Sequence, residues 1–250
     1  MTRPPLTTLQ RIEAALTESW RRYPGEWATF GSLSAVYAGP DVPINVALGG
    51  TDEANAADRL PEIEAFFAAH NCPASLLAHS HAPPKLLEAL AARNYHLSYL
   101  LHVYARKVSG GWPTPAFDAQ PITPGEWAEF TPLAFGPGSE AMMRLNASVP
   151  GVERLGVKVA GQWAGFGAVI VVPEEQGGVA MLFSAATLPE ARGQGIQSAL
   201  LSARLEVARQ QGATLAAVDV APGSVSERNV RRSGFEMIGA RLNFVQRPRA

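Results

Sequence analysis

Thr187-Leu-Pro-Glu-Ala-Arg-Gly-Gln-Gly-Ile-Gln-Ser198 is the stretch from which the rest of the chain can be read. Upstream of it, Gly178 to Thr187 has the composition of a strand. Downstream, Ile196 to Gln211 sets Leu201, Leu205 and Ala208 on one face of a helix that Gly212 stops. The stretch is therefore a glycine-bearing turn between a strand and an amphipathic helix. Such a turn leaves the first N–H groups of the helix without intrahelical partners, pointing outward where the helix dipole favours negative charge. Gly193 and Gly195 let the backbone approach a ligand closely, and Arg192 adds a fixed cation whose donors suit phosphate oxygens. A phosphate cradle is predicted.

Two other phosphate motifs compete for the same residues. Gly193-Gln-Gly-Ile-Gln-Ser198 lacks only the last glycine of a dinucleotide fingerprint, and Asp219 ends a strand roughly 20 residues on. Only 57 residues follow Gly193 (250 minus 193), too few for a second mononucleotide-binding half. No Gly-Lys-Ser/Thr follows the glycines, which excludes a nucleoside triphosphatase loop.

Around the turn, periodicity predicts a helix over Gly125 to Phe135, then strands over Arg154 to Val159 and Gly165 to Val172 joined as a hairpin by Ala160-Gly-Gln162. After the cofactor helix come a strand over Leu215 to Val220, a short helix over Ser226 to Ser233 and a closing strand over Met237 to Val245. The first half has a similar style. Helices are expected over Thr7 to Arg22, Pro61 to Ala69 and Pro83 to Ala92, with strands over Leu33 to Leu48 (broken at Gly39-Pro40), Ala74 to Ala78 and Leu97 to Ala105. Ser109-Gly-Gly-Trp-Pro-Thr-Pro115, followed by Pro121 and Pro124, reads as the junction. This divides the chain into a domain over 1–110, a linker over 111–124 and a domain over 125–250. The alternation of strands and helices makes the fold class α/β (α+β).

Composition removes several functions. Hydrophobic residues make up 47% and charged residues 17%, a globular balance that leaves no room for a wholly disordered chain. Lys plus Arg number 21 against 22 Asp plus Glu, a net charge of -1, so no basic field gathers nucleic acid or anionic membrane. Cys72 is the single cysteine, which forbids an intrachain disulfide. Met1-Thr-Arg-Pro-Pro-Leu6 lacks a leader's apolar core, and the apolar run ending at Val172 is far short of the roughly 20 residues that span a bilayer. A cytoplasmic location is expected, with no nucleic-acid or membrane partner.

Arg192, Gly195 and Gln197 fall on the three fixed positions of Arg-x-x-Gly-x-Gly/Ala, so the segment resembles the acyl-CoA-binding motif of the GNAT N-acetyltransferase superfamily. Gln197 departs from the usual Gly or Ala. The helix Ser198 to Gln211, the strand Leu215 to Val220 and Ser226-Glu-Arg-Asn-Val-Arg-Arg-Ser-Gly-Phe235 are similar to that family's later motifs, and the likeness spans about 120 to 245. The resemblance implies that Arg192, Gly193, Gln194, Gly195, Ile196 and Gln197 hold the pyrophosphate of acetyl-CoA or another short acyl-CoA. It also implies a bulge in the preceding strand, with Ala185, Ala186 and Thr187 lining the pantetheine cleft and Asn229 near the CoA arm. The implied partners are acyl-CoA and a small-molecule or peptide amine; a homodimer is open. Many members carry a tyrosine that protonates the departing thiolate, four residues before Gly-Phe, where this chain has Val230.

Residues 32 to 107 share the strand and helix order of such a half more faintly, with Asn94-Tyr95 where Gly-Phe is expected and no Arg-x-x-Gly-x-Gly, as in a degenerate copy. For acid–base work the candidates are Ser226, which could equally be a helix N-cap, Asp219 at a strand end, and Glu140 in the expected acceptor loop Gly136 to Ser148. His70, Cys72, His79 and His81 cluster in sequence, with His79 and His81 on one strand face, but their spacing matches no zinc pattern and no metal is expected. The expected function is acyl transfer to an amine; a non-catalytic acyl-CoA sensor is the alternative from a different class.

Overall fold

The hairpin turn at Ala160-Gly161 illustrates how locally most elements are specified. Both residues have positive φ (49° and 82°), the conformation of a two-residue primed turn whose twist matches the flanking strands. The structure, a computed structural model, describes residues 7–40, 42–112 and 114–247. The Met1–Leu6 stretch and Pro113 of the expected linker lie outside the described residues.

In chain order the elements are α1 (Thr8–Trp20), β1 (Glu26–Phe30), β2 (Leu33–Tyr37), β3 (Val46–Leu48), α2 (Leu60–Ala69), β4 (Ser75–His79), α3 (Pro84–Ala92), β5 (Tyr95–Lys107), β6 (Ala119–Pro121), α4 (Pro124–Phe135), α5 (Glu140–Ser148), β7 (Val152–Val159), β8 (Gln162–Val172), β9 (Gly178–Thr187), α6 (Ile196–Gln210), β10 (Ala213–Val220), α7 (Val225–Arg232) and β11 (Glu236–Gln246). Short 3-10 turns occupy Ala56–Arg59 and Pro189–Ala191. Capping boxes open two helices: Thr7 with Gln10 starts α1, and Thr123 with Glu126 starts α4, where Pro124 takes the first position.

Three elements depart from the periodicity. β1 (Glu-Trp-Ala-Thr-Phe) is only partly buried and shows no alternation. β6 lies inside the stretch expected as linker; it is an edge strand, where Pro121 is tolerated because no donor is needed on the open side. The expected acceptor loop Gly136 to Ser148 is largely a helix, α5, whose Met143 and Asn146 are buried.

Contacts divide the chain into two compact units that do not follow sequence order. One holds the described residues of Met1–Tyr23 together with Tyr104–Ile238; the other holds Pro24–Val103 together with those of Gly239–Ala250. In the first unit β6, β7, β8 and β9 run antiparallel in that order and β10 adds parallel to β9, a mixed α/β sheet as expected. α6 packs Leu201, Leu205 and Ala208 onto Val169, Leu182 and Val218, and buries Ile196, Ala199 and Leu200 against Leu155, Val157 and Ala164. Burying a side chain of this kind contributes roughly 1.5–3 kcal/mol. α1 and α4 also pack on β8 and β9. In the second unit β1, β2 and β3 are antiparallel, β4 is parallel to β3, and β11 pairs antiparallel with β4 from Arg241↔His79 to Val245↔Ser75. Its core gathers Leu33, Leu60, Ile63, Phe67, Leu76, Leu86 and Leu90.

Candidate functional site

β9 and β10 begin as a parallel pair and then part. Their last registered pair is Val218↔Leu182, after which β9 continues alone on that side. On its other side β9 stays with β8, but between the pairs Ala168↔Phe183 and Phe166↔Ala186 two residues, Ser184 and Ala185, oppose the single Gly167. This is a β-bulge, which bends the strand and adds twist. Ser184 carries the turn, with φ of 46°, a left-handed conformation costing a non-glycine residue roughly 1–2 kcal/mol. Phe183 to Ala186 are accordingly only half-buried, whereas Gly178 to Leu182 are buried. The bulge thus turns at Ser184, just before the Ala185, Ala186 and Thr187 expected to line the pantetheine cleft.

A buried network braces that turn. Asn146 of α5, 1% exposed, donates through Nδ2 to Ser184 Oγ at 2.9 Å and accepts at Oδ1 from the Tyr23 hydroxyl at 2.6 Å. Burial pushes the Tyr23 phenol above its ordinary pKa, so it stays a donor. Arg154 fixes the end of α5 by donating to the carbonyls of Asn146 (2.7 Å) and Val149 (2.8 Å). Sequence reading missed Asn146 and Ser184, because neither belongs to a motif.

The turn after β9 forms as the sequence predicts. Gly193 and Gly195 take φ of 78° and 91°, and a Cβ on either meets nothing within 4 Å, so both face open space. Gly195 is the N-cap of α6 and provides no side-chain cap, which leaves the first-turn N–H groups to a ligand or water. Arg192 Nε donates to Thr187 O (3.3 Å), and Gln197 Nε2 to Thr187 Oγ1 (2.9 Å). Gln197 therefore ties the helix start to the end of β9. Ile196 is 1% exposed and contributes its backbone only, while Gln194 bonds the Glu190 carbonyl at 3.4 Å.

A cleft of about 660 Å³ opens over this turn and the free end of β9. Arg192, Arg228 and Arg232 line it and no carboxylate does, so its field selects an anion. Arg228 and Arg232, also missed in the sequence, are four residues apart on α7, hence on one helix face. Asn229 and Ser226 line the cleft beside them, and both also border a second cavity of about 200 Å³ that reaches in between β9 and β10. α7 is anchored through Glu227, whose carboxylate accepts from Gly223 N (2.7 Å) and the Tyr104 hydroxyl (3.0 Å).

Ser226 is not the cap of α7. Ser224 is, accepting from Glu227 N at 3.1 Å, so the N-cap alternative for Ser226 is corrected; its exposed side chain faces the cleft. Asp219 borders the inner cavity at the end of β10. Glu140 stands exposed in the first turn of α5 and borders neither cavity. Val230 is a core residue, 4% exposed.

The histidines do not assemble. His70 stacks on Tyr37 with ring centroids 4.1 Å apart. β4 ends at His79, so His81 lies in the following turn rather than on the same strand face, and its N–H donates to His79 Nδ1 at 3.0 Å. Among the described residues no group of three His, Cys, Asp or Glu could hold a metal ion, and no helix is long and apolar enough to cross a membrane.

Residues 121–235 match the family model described as acetyltransferase (GNAT) family. No curated protein matches the chain. Among solved structures, a GCN5-related N-acetyltransferase from Kribbella flavida is similar over 98% of each chain, with 17% identity and a TM-score of 0.76. A tandem GNAT protein from the clavulanic acid biosynthesis pathway is similar over 100% of this chain and 91% of its own (17% identity, TM-score 0.65). A putative GNAT-family acetyltransferase from Novosphingobium aromaticivorans covers 96% of each chain (15% identity, TM-score 0.62). At these identities the likeness is one of fold.

Proposed function

From the premise that residues 121–235 are a GNAT-family acetyltransferase domain, we propose that the protein transfers an acetyl or other short acyl group from CoA to a primary amine within a ternary complex. The observation that carries the proposal is the coincidence, in one cleft, of an uncapped helix start, three arginines and a strand released by a bulge.

In this reading the N–H groups from Gly193 to Ser198 take the pyrophosphate, Arg192 adds charge, and Arg228 and Arg232 receive phosphate from the facing side. The pantetheine arm lies along Ala185 to Thr187, on the side of β9 where β10 no longer pairs with it, and takes the place of a neighbouring strand. A backbone N–H at the bulge polarises the thioester carbonyl, which gains negative charge as the amine attacks. The C–N bond forms and the C–S bond breaks. Asp219 receives the proton from the amine, and Ser226, beside the cleft, donates to the departing thiolate in place of the tyrosine absent at Val230. The 1–110 region is read as a degenerate copy of such a half.

The test is a thermal-shift series followed by turnover. Acetyl-CoA raises Tm, since a ligand of the native state stabilises by mass action, while NADH and ATP do much less. Thiol release from acetyl-CoA in the presence of an amine panel then separates an enzyme from a sensor. A strong NADH shift without a CoA shift sinks the proposal, and CoA binding with no thiol release from any amine favours the sensor.

A further inference from the structure

Arg204 is a cation that the chemistry above leaves unused. It lies on the sheet-facing side of α6, 3% exposed, among Leu200, Leu201 and Leu205. Its Nε donates to Leu200 O of its own helix at 3.0 Å, while its Nη1 is buried with no hydrogen-bond partner. A buried guanidinium with one intrahelical bond is strongly unfavourable, and a Leu or Met at this position packs without that cost. Burial pulls its pKa down to about 10, and no nearby carboxylate acts against the shift.

The cation is not sealed in the core. It lines the inner cavity of about 200 Å³, whose wall joins apolar Leu182, Leu201 and Val218 to polar Ser184, Gln197 and Asn229. Leu182 and Val218, the last registered pair before β9 and β10 part, line the same cavity as Arg204. The open end shares Ala185 and Gln197 with the large cleft. Gly167, the residue opposite the bulge, makes room for the guanidinium: a Cβ there stands 3.0 Å from Arg204 Nε. Asp219, the other charged residue of the lining, has an interaction of its own.

We propose that the acyl group held in this cavity ends in a carboxylate: the donor is a short ω-carboxyacyl-CoA, of malonyl or succinyl type, whose free carboxylate pairs with Arg204. The inference rests on reading the cleft as the acyl-CoA site. Leu182, Leu201 and Val218 suit the methylenes of such a chain, and the buried cation suits its terminus. Transfer proceeds as for acetyl: the amide C–N bond forms, the thioester C–S bond breaks, the amine proton leaves to a base, the thiolate takes a proton, and the ω-carboxylate is unchanged. The amine is converted to an amide bearing a new negative charge.

Calorimetric titration of the full chain with CoA, acetyl-CoA, butyryl-CoA, malonyl-CoA and succinyl-CoA at one ionic strength tests this. Malonyl-CoA or succinyl-CoA binds at least roughly tenfold more tightly than butyryl-CoA, the size expected from one charge-assisted hydrogen bond. Arg204→Met, which keeps length and removes charge, brings the two classes within about twofold, and Arg204→Lys keeps part of the preference. Butyryl-CoA binding as tightly as both dicarboxylic thioesters to the wild-type chain overturns the inference, whatever the variants do. So does a preference that survives in Arg204→Met. CoA and acetyl-CoA binding without a dicarboxylic preference removes this inference alone; if no CoA compound binds, the acyl-CoA reading falls with it.

Discussion

Each unit contains a run of antiparallel strands, β6 to β9 in one and β1 to β3 in the other, followed by a parallel strand, β10 or β4, and each passes to that last strand through a glycine-bearing connection and a helix. The two connections differ in what stands before the helix. After β9, Gly193 and Gly195 face open space, Arg192 follows a 3-10 turn, and α6 begins uncapped with every first-turn N–H present. After β3, Gly50 is hemmed in, a Cβ there lying 2.1 Å from Ser32 Oγ, and the arginine before the helix, Arg59, stands among Asp52, Glu53 and Asp58 and is paired with Glu62. Pro61 removes a donor from the first turn of α2. β9 has ten residues, enough to hold a bulge and still pair with β8, whereas β3 has three. A strand–turn–helix topology places a helix start at the end of both sheets; space, charge and free donors are what the proposed anion site has and the other helix start lacks.

The comparison breaks most easily at Gly195. Gly195→Asp sets a carboxylate on the cradle, and CoA affinity measured by calorimetry falls at least about 100-fold, roughly 2.7 kcal/mol, with the circular dichroism spectrum kept. Unchanged affinity in a folded variant removes the cradle from the site. Gly50→Ala is the counterpart in the other connection. The clash with Ser32 and the positive φ cost about 2 kcal/mol of stability, read as a lower Tm, with CoA affinity within about twofold; a large loss of CoA binding there erases the contrast. Arg192→Glu weakens CoA binding by about tenfold, and the loss shrinks as salt rises because the contact is exposed to screening. A salt-independent loss points to misfolding of the turn instead. The smallest effect separates two neighbouring serines on α7. Ser224→Ala costs about 1 kcal/mol of stability as the lost cap, while Ser226→Ala changes Tm little and lowers turnover. Turnover that survives Ser226→Ala unaltered leaves the leaving thiolate to water.

Legibility followed sequence distance. The helix from Ile196, the hairpin at Ala160-Gly161 and β9 from Gly178 to Thr187 are each specified by neighbours a few residues apart, through periodicity and turn chemistry. Arg228 and Arg232 carried a faint signal, their four-residue spacing, but nothing local says which way that face of α7 looks. Arg204 carried a clearer one: a charge three residues after Leu201, inside the apolar stripe of α6, is a misfit that only a partner or a cost explains.

By itself the sequence determined the strands and helices other than β1, β6 and α5, the glycine-bearing turn before α6 and the donors it offers, since these depend on backbone preferences and side-chain patterns within a turn or two. The tertiary structure alone decided that α1 joins the unit of the second half while β11 pairs with β4 of the first, and that Asn146 and Tyr23 hold Ser184 in the bulge. It also decided that Arg204 lines the inner cavity. Those outcomes rest on which surfaces meet across more than a hundred residues, where the balance of burial, pairing and loop closure is set by the whole chain and not by any segment of it.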